Sequence, residues 1–148
     1  MDLIERTKPH VLELFRIVTG LLFTMHGTAT LFSFMGAPRS GAAPAIGAFP
    51  SWWAAMIQLV AGALVLVGLA TRVAAVLCSG SMAYAYFVVH QPQDLSPLTN
   101  GGELSALFCW SFLLIAFVGP GRWALDTALA KLRASSAQEA DDAFLVPA

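Results

Sequence analysis

The segment WWAAMIQLVAGALVLVGLATR, residues 52–72, decides the class of this protein. It contains no charged side chain from Trp52 to Ala70, and Gln58 is its one strongly polar residue over that range. A helix needs roughly 17 to 25 apolar residues to cross a bilayer, because its backbone polar groups must be bonded within the segment. The segment is long enough, and it predicts a transmembrane helix that ends before Thr71 and Arg72.

The composition of the whole chain also favours a membrane protein. Of its 148 residues, 57% are hydrophobic and 11% are charged, and the mean hydropathy is +0.71. Soluble proteins average roughly 45–50% apolar and about 25% charged residues, so the excess apolar surface is expected to contact lipid. The net charge of -1 argues against a nucleic-acid partner, because phosphate binding requires clustered basic groups. Cys78 and Cys109 are expected at different depths in the membrane, too far apart for a disulfide.

Four segments meet the length requirement for a membrane span. We therefore predict an all-α fold, an integral membrane four-helix bundle that forms a single domain over residues 1–133. The predicted spans cover residues 11–35, 52–70, 73–90 and 103–118.

The region after the fourth span is predicted to contain a short interfacial helix over residues 123–133. Leu125, Leu129 and Leu132 share one of its faces, as in helices that lie on a membrane surface. Residues 134–148 are small and acidic, which predicts a disordered tail.

The basic residues are distributed unevenly around the spans, which predicts the orientation of the chain. Basic residues are retained on the cytoplasmic side of a membrane, and only Arg39 falls in an outer loop. Both termini are therefore predicted to be cytoplasmic. Arg16 and Arg72 are predicted polar anchors, because a long arginine side chain can extend to the inner surface. The two outer loops, 36–51 and 91–102, either fold over the bundle as a lid or form flexible connections.

Polar side chains within the spans recur at helical spacing, so they share faces that are expected to turn inward. In the first span this stripe consists of Arg16, Thr19, His26, Thr30 and Ser33. The same reasoning predicts that Gln58 of the second span faces inward.

These inward stripes predict a ligand site in the outer half of the bundle, formed by His26, Gln58, Tyr86, His90 and Glu103. Alternating span directions place His26 and Gln58 slightly outside the midplane and His90 and Glu103 at the outer ends, so that these side chains can meet in the outer half. Ionisable groups within lipid are costly and usually line a cavity, a proton path or a ligand site. The alternatives are that His26 and Gln58 make interhelical hydrogen bonds, and that His90 and Glu103 are solvated polar ends.

No metal or catalytic signature accompanies this set. Of the three histidines, His10 lies at the cytoplasmic end and His26 and His90 lie at unequal depth, so neither a metal site nor haem is expected. The chain has no phosphate-binding glycine loop, no Cys-x-x-Cys pair and no nucleophile elbow. Whether the protein is an enzyme by itself is left open by the sequence.

Several strings, in this order, resemble the DoxX family of small four-helix membrane proteins from bacteria and archaea. They are LFRIVTG at 14–20 followed by His26-Gly27, GLATR at 68–72, NGGE at 100–103, and GPGRW at 119–123 followed by Asp126. The resemblance implies a bacterial inner-membrane location and an association with membrane redox chemistry. DoxX-like subunits occur with thiosulfate:quinone oxidoreductases, with quinol oxidases, and in complexes that link thiol or oxidant defence to the membrane.

The resulting hypothesis is a redox-associated subunit whose outer pocket binds a quinone or another small molecule, with no covalently bound cofactor. Its partners would be the lipid bilayer and either a redox protein or further copies of the chain. One alternative is a non-catalytic anchor or scaffold that docks a soluble partner through residues 122–133 and the tail. Another is a small-molecule transporter, for which one four-helix protomer is small unless it oligomerises.

Overall fold

The structure, a computed structural model, describes residues 3–34, 36 and 41–144, with side chains through residue 138. These residues form five α-helices, the third of which continues into a short π-helical segment. No strand occurs in this part of the chain, so the all-α prediction is confirmed. The elements are α1 (Leu3–Phe32), α2 (Ser51–Val67), α3 (Thr71–Tyr84), the π-helical segment (Ala85–His90), α4 (Glu103–Val118) and α5 (Leu125–Phe144).

Two glycines on α1 allow α1 and α2 to pack closely. A Cβ atom on Gly20 would lie 2.6 Å from the main-chain nitrogen of Leu66, and one on Gly27 would lie 2.5 Å from that of Leu59. The later glycine meets the earlier residue of α2, so the two helices are antiparallel. The contact depends on the absence of a side chain, as is common where apolar helices associate through small residues.

The core lies between α1, α2, α3 and α4. The Phe23 ring contacts the rings of Phe108 and Phe112, with centroids 5.2 and 4.6 Å apart. The Ser79 hydroxyl donates to the Cys109 carbonyl at 2.9 Å, so Cys109 lies beside Ser79 rather than at a distant depth from Cys78. Both cysteines are nevertheless free thiols.

The helix ends differ from the predicted span limits for local backbone reasons. α1 begins at Leu3, and Ser33, with φ 53°, follows its last residue; position 35 lies outside the described residues. α2 ends at Val67 rather than at residue 70, because Gly68 has φ 75° and its N–H caps the carbonyls of Leu64 and Val65. α3 then begins at Thr71, two residues before the predicted start, whereas α4 has the predicted bounds.

The last helix is longer than expected. α5 starts at Leu125 rather than at 123, and it continues to Phe144, through residues for which the acidic composition predicts disorder. This stretch is rich in alanine and also contains glutamine and glutamate, which favour helix once a first turn exists. Residues 145–148 of the predicted tail lie outside the described residues.

Two helical segments, Leu3–Phe32 and Thr71–His90, are long and apolar enough to cross a membrane. Ser51–Val67 and Glu103–Val118 are shorter apolar helices. Large hydrophobic side chains are exposed on the outside of the helices, among them Val73, Trp110 and Phe117. The two ends of the bundle are called below the Arg16 end and the His26 end.

Candidate functional site

A cavity of about 230 Å³ lies at the His26 end, between α1, α2, the π-helical segment and α4. Three of the predicted site residues, His26, Gln58 and His90, line it together. The other lining side chains are small, hydroxylic or apolar, namely Ala29, Thr30, Ala54, Ala85, Leu104, Ser105, Phe23, Met82 and Phe108. The cavity therefore combines hydrogen-bonding groups and apolar surface in nearly equal parts, so that a ligand in it can be held through polar groups as well as by packing.

His26 and Gln58 reach the cavity from neighbouring helices. The rings of His26 and Phe108 pack edge to face, with centroids 5.8 Å apart and planes at 89°. His26 is exposed at the cavity mouth, and Gln58 is half-buried on α2. Both side chains line the cavity.

His90 is held in place by the loop that follows it. Its Nδ1 lies 3.0 Å from the main-chain carbonyl oxygen of Asn100. A carbonyl can only accept a hydrogen bond, so Nδ1 carries the proton and donates it. In the neutral ring Nε2 is then a hydrogen-bond acceptor, and on protonation it becomes a donor.

Asn100 organises this loop, and the sequence analysis did not select it as a functional residue. Its side chain is buried, donates to the Asp94 carbonyl at 2.7 Å and accepts from the Gly102 N–H at 2.7 Å. The Ser96 N–H, together with the Thr99 side chain, holds the pKa of the Asp94 carboxyl below its ordinary value. The loop is thus a structured connection, and the Asn-Gly-Gly turn is the signal that could have identified it.

The other two predicted site residues do not line the cavity. The Tyr86 ring packs against Phe87, and a Cβ atom on Gly102 would lie 2.9 Å from its Cδ2. Glu103 is exposed at the first residue of α4. The cavity side of α4 is formed by Leu104, Ser105 and Phe108, and a step of one residue turns a helix by about 100°.

At the opposite end, Arg16 is buried rather than extended to a surface. It is 1% exposed, and its Nη1 donates to the carbonyls of Val65 and Leu66 at 2.5 and 2.8 Å. The last carbonyls of a helix have no partner within the helix and carry the negative end of its dipole. Arg16 therefore caps α2, and its Nη2 also donates to the Trp123 carbonyl at 3.4 Å.

Glu13 is a buried carboxylate beside this arginine, and the sequence analysis missed it. It is 2% exposed, and its Oε1 accepts from the main-chain N–H of Arg122 at 2.5 Å. His10 Nδ1 lies 3.8 Å from Oε2. The spacing of Glu13 and Arg16, three residues apart on one helix, is a signal that could have paired them.

Arg72 caps a second helix at the same end. Its Nη1 donates to the carbonyls of Ala116 and Phe117 at 3.0 and 3.4 Å, at the end of α4. Both predicted anchors thus bind helix ends through main-chain carbonyls.

Asp126 joins α5 to the turn between α2 and α3. Its carboxylate accepts from the N–H of Ala70 at 2.8 Å and from the N–H and hydroxyl of Thr71, both at 2.9 Å. Partial burial raises the pKa of this carboxyl, but these hydrogen bonds and the positive charge of Arg16 outweigh burial and hold the pKa below its ordinary value. Asp126 therefore acts as the N-terminal cap that α3 lacks from its own sequence.

Among the residues that the structure describes, no group of three or more histidine, cysteine or acidic side chains is arranged to hold a metal ion.

Comparison with known proteins identifies relatives over most of the chain. A protein-family model described as DoxX matches residues 11–91. An "Uncharacterized protein" of Haemophilus influenzae is 38% identical over 129 residues, which cover 85% of this chain and 96% of the relative. A "Putative oxidoreductase CatD" of Bacillus subtilis is 28% identical over 113 residues, which cover 76% of this chain and 82% of the relative. No solved structure gives a significant match.

Proposed function

This chain belongs to the DoxX family, and from that premise we propose that it is a redox-associated subunit of the bacterial inner membrane that binds a quinone. The binding site is the cavity lined by His26, Gln58 and His90. The observation that carries the proposal is that three polar side chains from three separate elements meet at one cavity among apolar helices. The Bacillus subtilis relative is named a "Putative oxidoreductase", which is in keeping with a redox function.

In this proposal α1 to α4 each cross the membrane, with the Arg16 end in the cytoplasm. α2 and α4 have 17 and 16 residues, about 24–26 Å at 1.5 Å per residue, and their flanking residues complete the crossing of a core about 30 Å thick. Arg16, Arg72 and Arg122 all lie at one end, which the retention of basic residues assigns to the cytoplasm.

Cysteine labelling tests this orientation. In a chain whose two native cysteines are replaced by serine, we expect Asp94→Cys to react with a membrane-impermeant maleimide in intact spheroplasts. We expect Arg122→Cys to react only after the membrane is opened. The reverse pattern, or reaction of both in intact spheroplasts, would show that the orientation is wrong.

The chemistry assigned to the cavity is hydrogen bonding and proton exchange with the ligand's ring oxygens. The Gln58 amide donates to a quinone carbonyl, and the two histidines are the titratable groups within reach of the cavity. Reduction of the quinone to the quinol takes two electrons, which the redox partner supplies, and two protons, for which His26 and His90 are the donors at the cavity. Protonated His90 can deliver a proton from Nε2, because Nδ1 is occupied by the Asn100 carbonyl.

Ligand binding to purified protein in lipid nanodiscs tests the site. We expect His26→Ala, Gln58→Leu and His90→Ala each to weaken binding of a decyl-substituted benzoquinone by about tenfold, as the loss of one buried hydrogen bond predicts. His10→Ala is the matched control, because His10 lies at the Arg16 end beside Trp123, and it should bind with unchanged affinity. Equal affinity in all four variants and the parent protein would contradict the proposal.

A second candidate, a non-catalytic anchor for a soluble partner, is favoured by α5. Its leucines Leu125, Leu129 and Leu132 are 47%, 39% and 65% exposed, so none of the described residues covers the apolar face of this helix. Removal of the chain after Ala128 keeps the Asp126 cap and deletes most of this face. An anchor should then lose its co-purifying partner and keep quinone affinity, whereas an intact partner complex would exclude the anchor role of α5.

A further inference from the structure

A second, larger space lies at the His26 end, on the surface between the start of α2 and the end of α3. It is a groove of about 460 Å³. Its walls are almost wholly apolar and include Phe49, Trp53, Ile57, Tyr84 and Val89. Phe49 is 73% exposed and Trp53 is 53% exposed, so the groove opens to the outside of the bundle. In the proposed membrane setting, that outside is the acyl-chain region.

Two residues connect this groove to the cavity of His26. Ala54 on α2 and Ala85 at the start of the π-helical segment line both spaces. Each presents a single methyl group, so little side-chain volume separates the polar cavity from the apolar groove. The two spaces adjoin between α2 and the end of α3.

The π-helical segment allows Ala85, which lines both spaces, to face the cavity on the same side of the helix as His90. Ala85 and His90 are five residues apart and both line the cavity. In an α-helix such residues would point about 140° apart, at 3.6 residues per turn. The wider turn, with the Gln91 N–H bonded to the Tyr86 carbonyl five residues earlier at 2.8 Å, brings them to one side.

Size also favours a ligand that occupies both spaces. The cavity of about 230 Å³ is smaller than the roughly 300–1,000 Å³ usual for small-molecule sites, whereas the adjoining groove is of ordinary size. The cavity carries the hydrogen-bonding groups and the groove carries the apolar wall. A molecule that matches both has a compact polar head and a hydrocarbon tail.

We infer that the ligand is a tailed, lipid-soluble quinone that enters sideways from the membrane between α2 and α3. Its ring lies in the cavity, and its tail passes Ala54 and Ala85 into the groove. This inference rests on the proposed function and deepens it, because it excludes a tail-less, water-soluble carrier as the cognate ligand. Because the tail is already in lipid, its binding energy comes from van der Waals packing against the aromatic walls rather than from removal of apolar surface from water.

The test compares a decyl-substituted benzoquinone with the same ring bearing only a methyl group. Affinity is measured in nanodiscs, as ligand mole fraction in the lipid, from quenching of tryptophan fluorescence. Ser81→Phe fills the groove from a residue that lines the groove and not the cavity. Gly80→Phe adds the same ring at the neighbouring position, which faces open space, and is the matched control.

We expect the parent protein to bind the decyl ligand at least tenfold more tightly than the methyl ligand. Ser81→Phe should remove most of that advantage and leave the affinity for the methyl ligand within about twofold of the parent value. Gly80→Phe should change neither affinity. Val89→Trp, at another point of the groove, should act as Ser81→Phe does and serves if that variant fails to fold.

Two other results would overturn the inference in distinguishable ways. If both groove variants keep full affinity for the decyl ligand while His26→Ala weakens it, the tail does not occupy the groove, and the cavity proposal stands. If the parent protein binds neither ligand, the proposed function fails and the inference fails with it.

Discussion

Arg16 of α1 donates a hydrogen bond to the main-chain carbonyl of Val65 in the last turn of α2. The guanidinium is almost completely buried, so its charge is compensated inside the protein rather than by solvent. Glu13 and Asp126 are the acidic residues that act on it electrostatically. This one side chain thus connects α1, the end of α2 and the chain before α5.

Replacement of Arg16 by methionine should destabilise the protein strongly. It keeps the apolar stem but leaves two helix-end carbonyls and the buried Glu13 carboxylate without their cation, a loss of about 3–5 kcal/mol. Thermal unfolding in detergent measures it. Arg122→Gln is the matched control, because the exposed Arg122 contributes its main-chain N–H to Glu13, and it should change stability by less than about 0.5 kcal/mol. Equal unfolding temperatures for the two variants would contradict the assigned role of Arg16.

The glycine contact between α1 and α2 predicts opposite effects for two Gly→Ala substitutions. At Gly27 the new methyl group would meet the Leu59 backbone, so the helices must separate, and we expect a loss of about 1–3 kcal/mol. Gly80 faces open space within α3, and alanine there should stabilise by roughly 0.5–1 kcal/mol. Thermal unfolding of both variants measures these changes in stability. A stabilised Gly27→Ala would mean that α1 and α2 are not in backbone contact.

The Asp126 cap predicts a pH-dependent contribution to stability. The carboxyl pKa is lower in the folded protein than in the unfolded chain, so its stabilisation is fully present above the unfolded value and is lost as pH falls through the folded one. Asp126→Ala should therefore cost about 1–2 kcal/mol near neutral pH and much less at strongly acid pH. Unfolding is followed as a function of pH.

Asp126→Asn is the control for this charge effect. It keeps one acceptor oxygen, so an intermediate loss that varies little with pH is expected. A difference between Asp126→Ala and the parent protein that stays constant into strong acid would contradict the assignment.

Asn100 is predicted to affect both stability and ligand affinity. Asn100→Ala removes the bonds to the Asp94 carbonyl and the Gly102 N–H, which costs about 1–3 kcal/mol. It also frees the loop that positions His90, so quinone affinity should fall about tenfold. Leu98→Ala, at a side chain of the same loop that is 78% exposed, should leave both properties nearly unchanged. A folded Asn100→Ala with full affinity would show that His90 does not need the loop.

The sequence predicts the polar residues of the cavity because such residues are scarce on these helices. With few polar side chains, 3.6-residue spacing alone assigns His26, Gln58 and His90 to inward faces. Glu103 does not line the cavity, because the residues of α4 that line it begin one step later, at Leu104, and one step turns the helix by about 100°. The Tyr86 ring lies beside Gly102 instead of lining the cavity. Tyr86 belongs to the π-helical segment, and the sequence carries no recognised signal for a π-helical turn.

The Arg16 end could not be predicted from side-chain patterns. Apart from the Thr71 hydroxyl, the hydrogen-bond partners of Arg16, Arg72 and Asp126 are main-chain carbonyls and N–H groups, which nearly every residue carries. The partners are therefore set by which helix ends come together in three dimensions. The sequence shows that these residues are charged and near span ends, and it leaves open whether they cap helix ends or act as surface anchors.

The central claim, that the cavity of His26 receives the ring of a quinone, is tested most directly by photolabelling. A decyl-tailed azidoquinone is bound to the protein in nanodiscs and irradiated, and the labelled peptides are mapped by mass spectrometry. We predict labels within residues 23–30, 54–58, 82–90 and 104–108, with competition by unlabelled quinone. Labels confined to α5 or to the Arg16 end, or labels that do not compete, would contradict the claim.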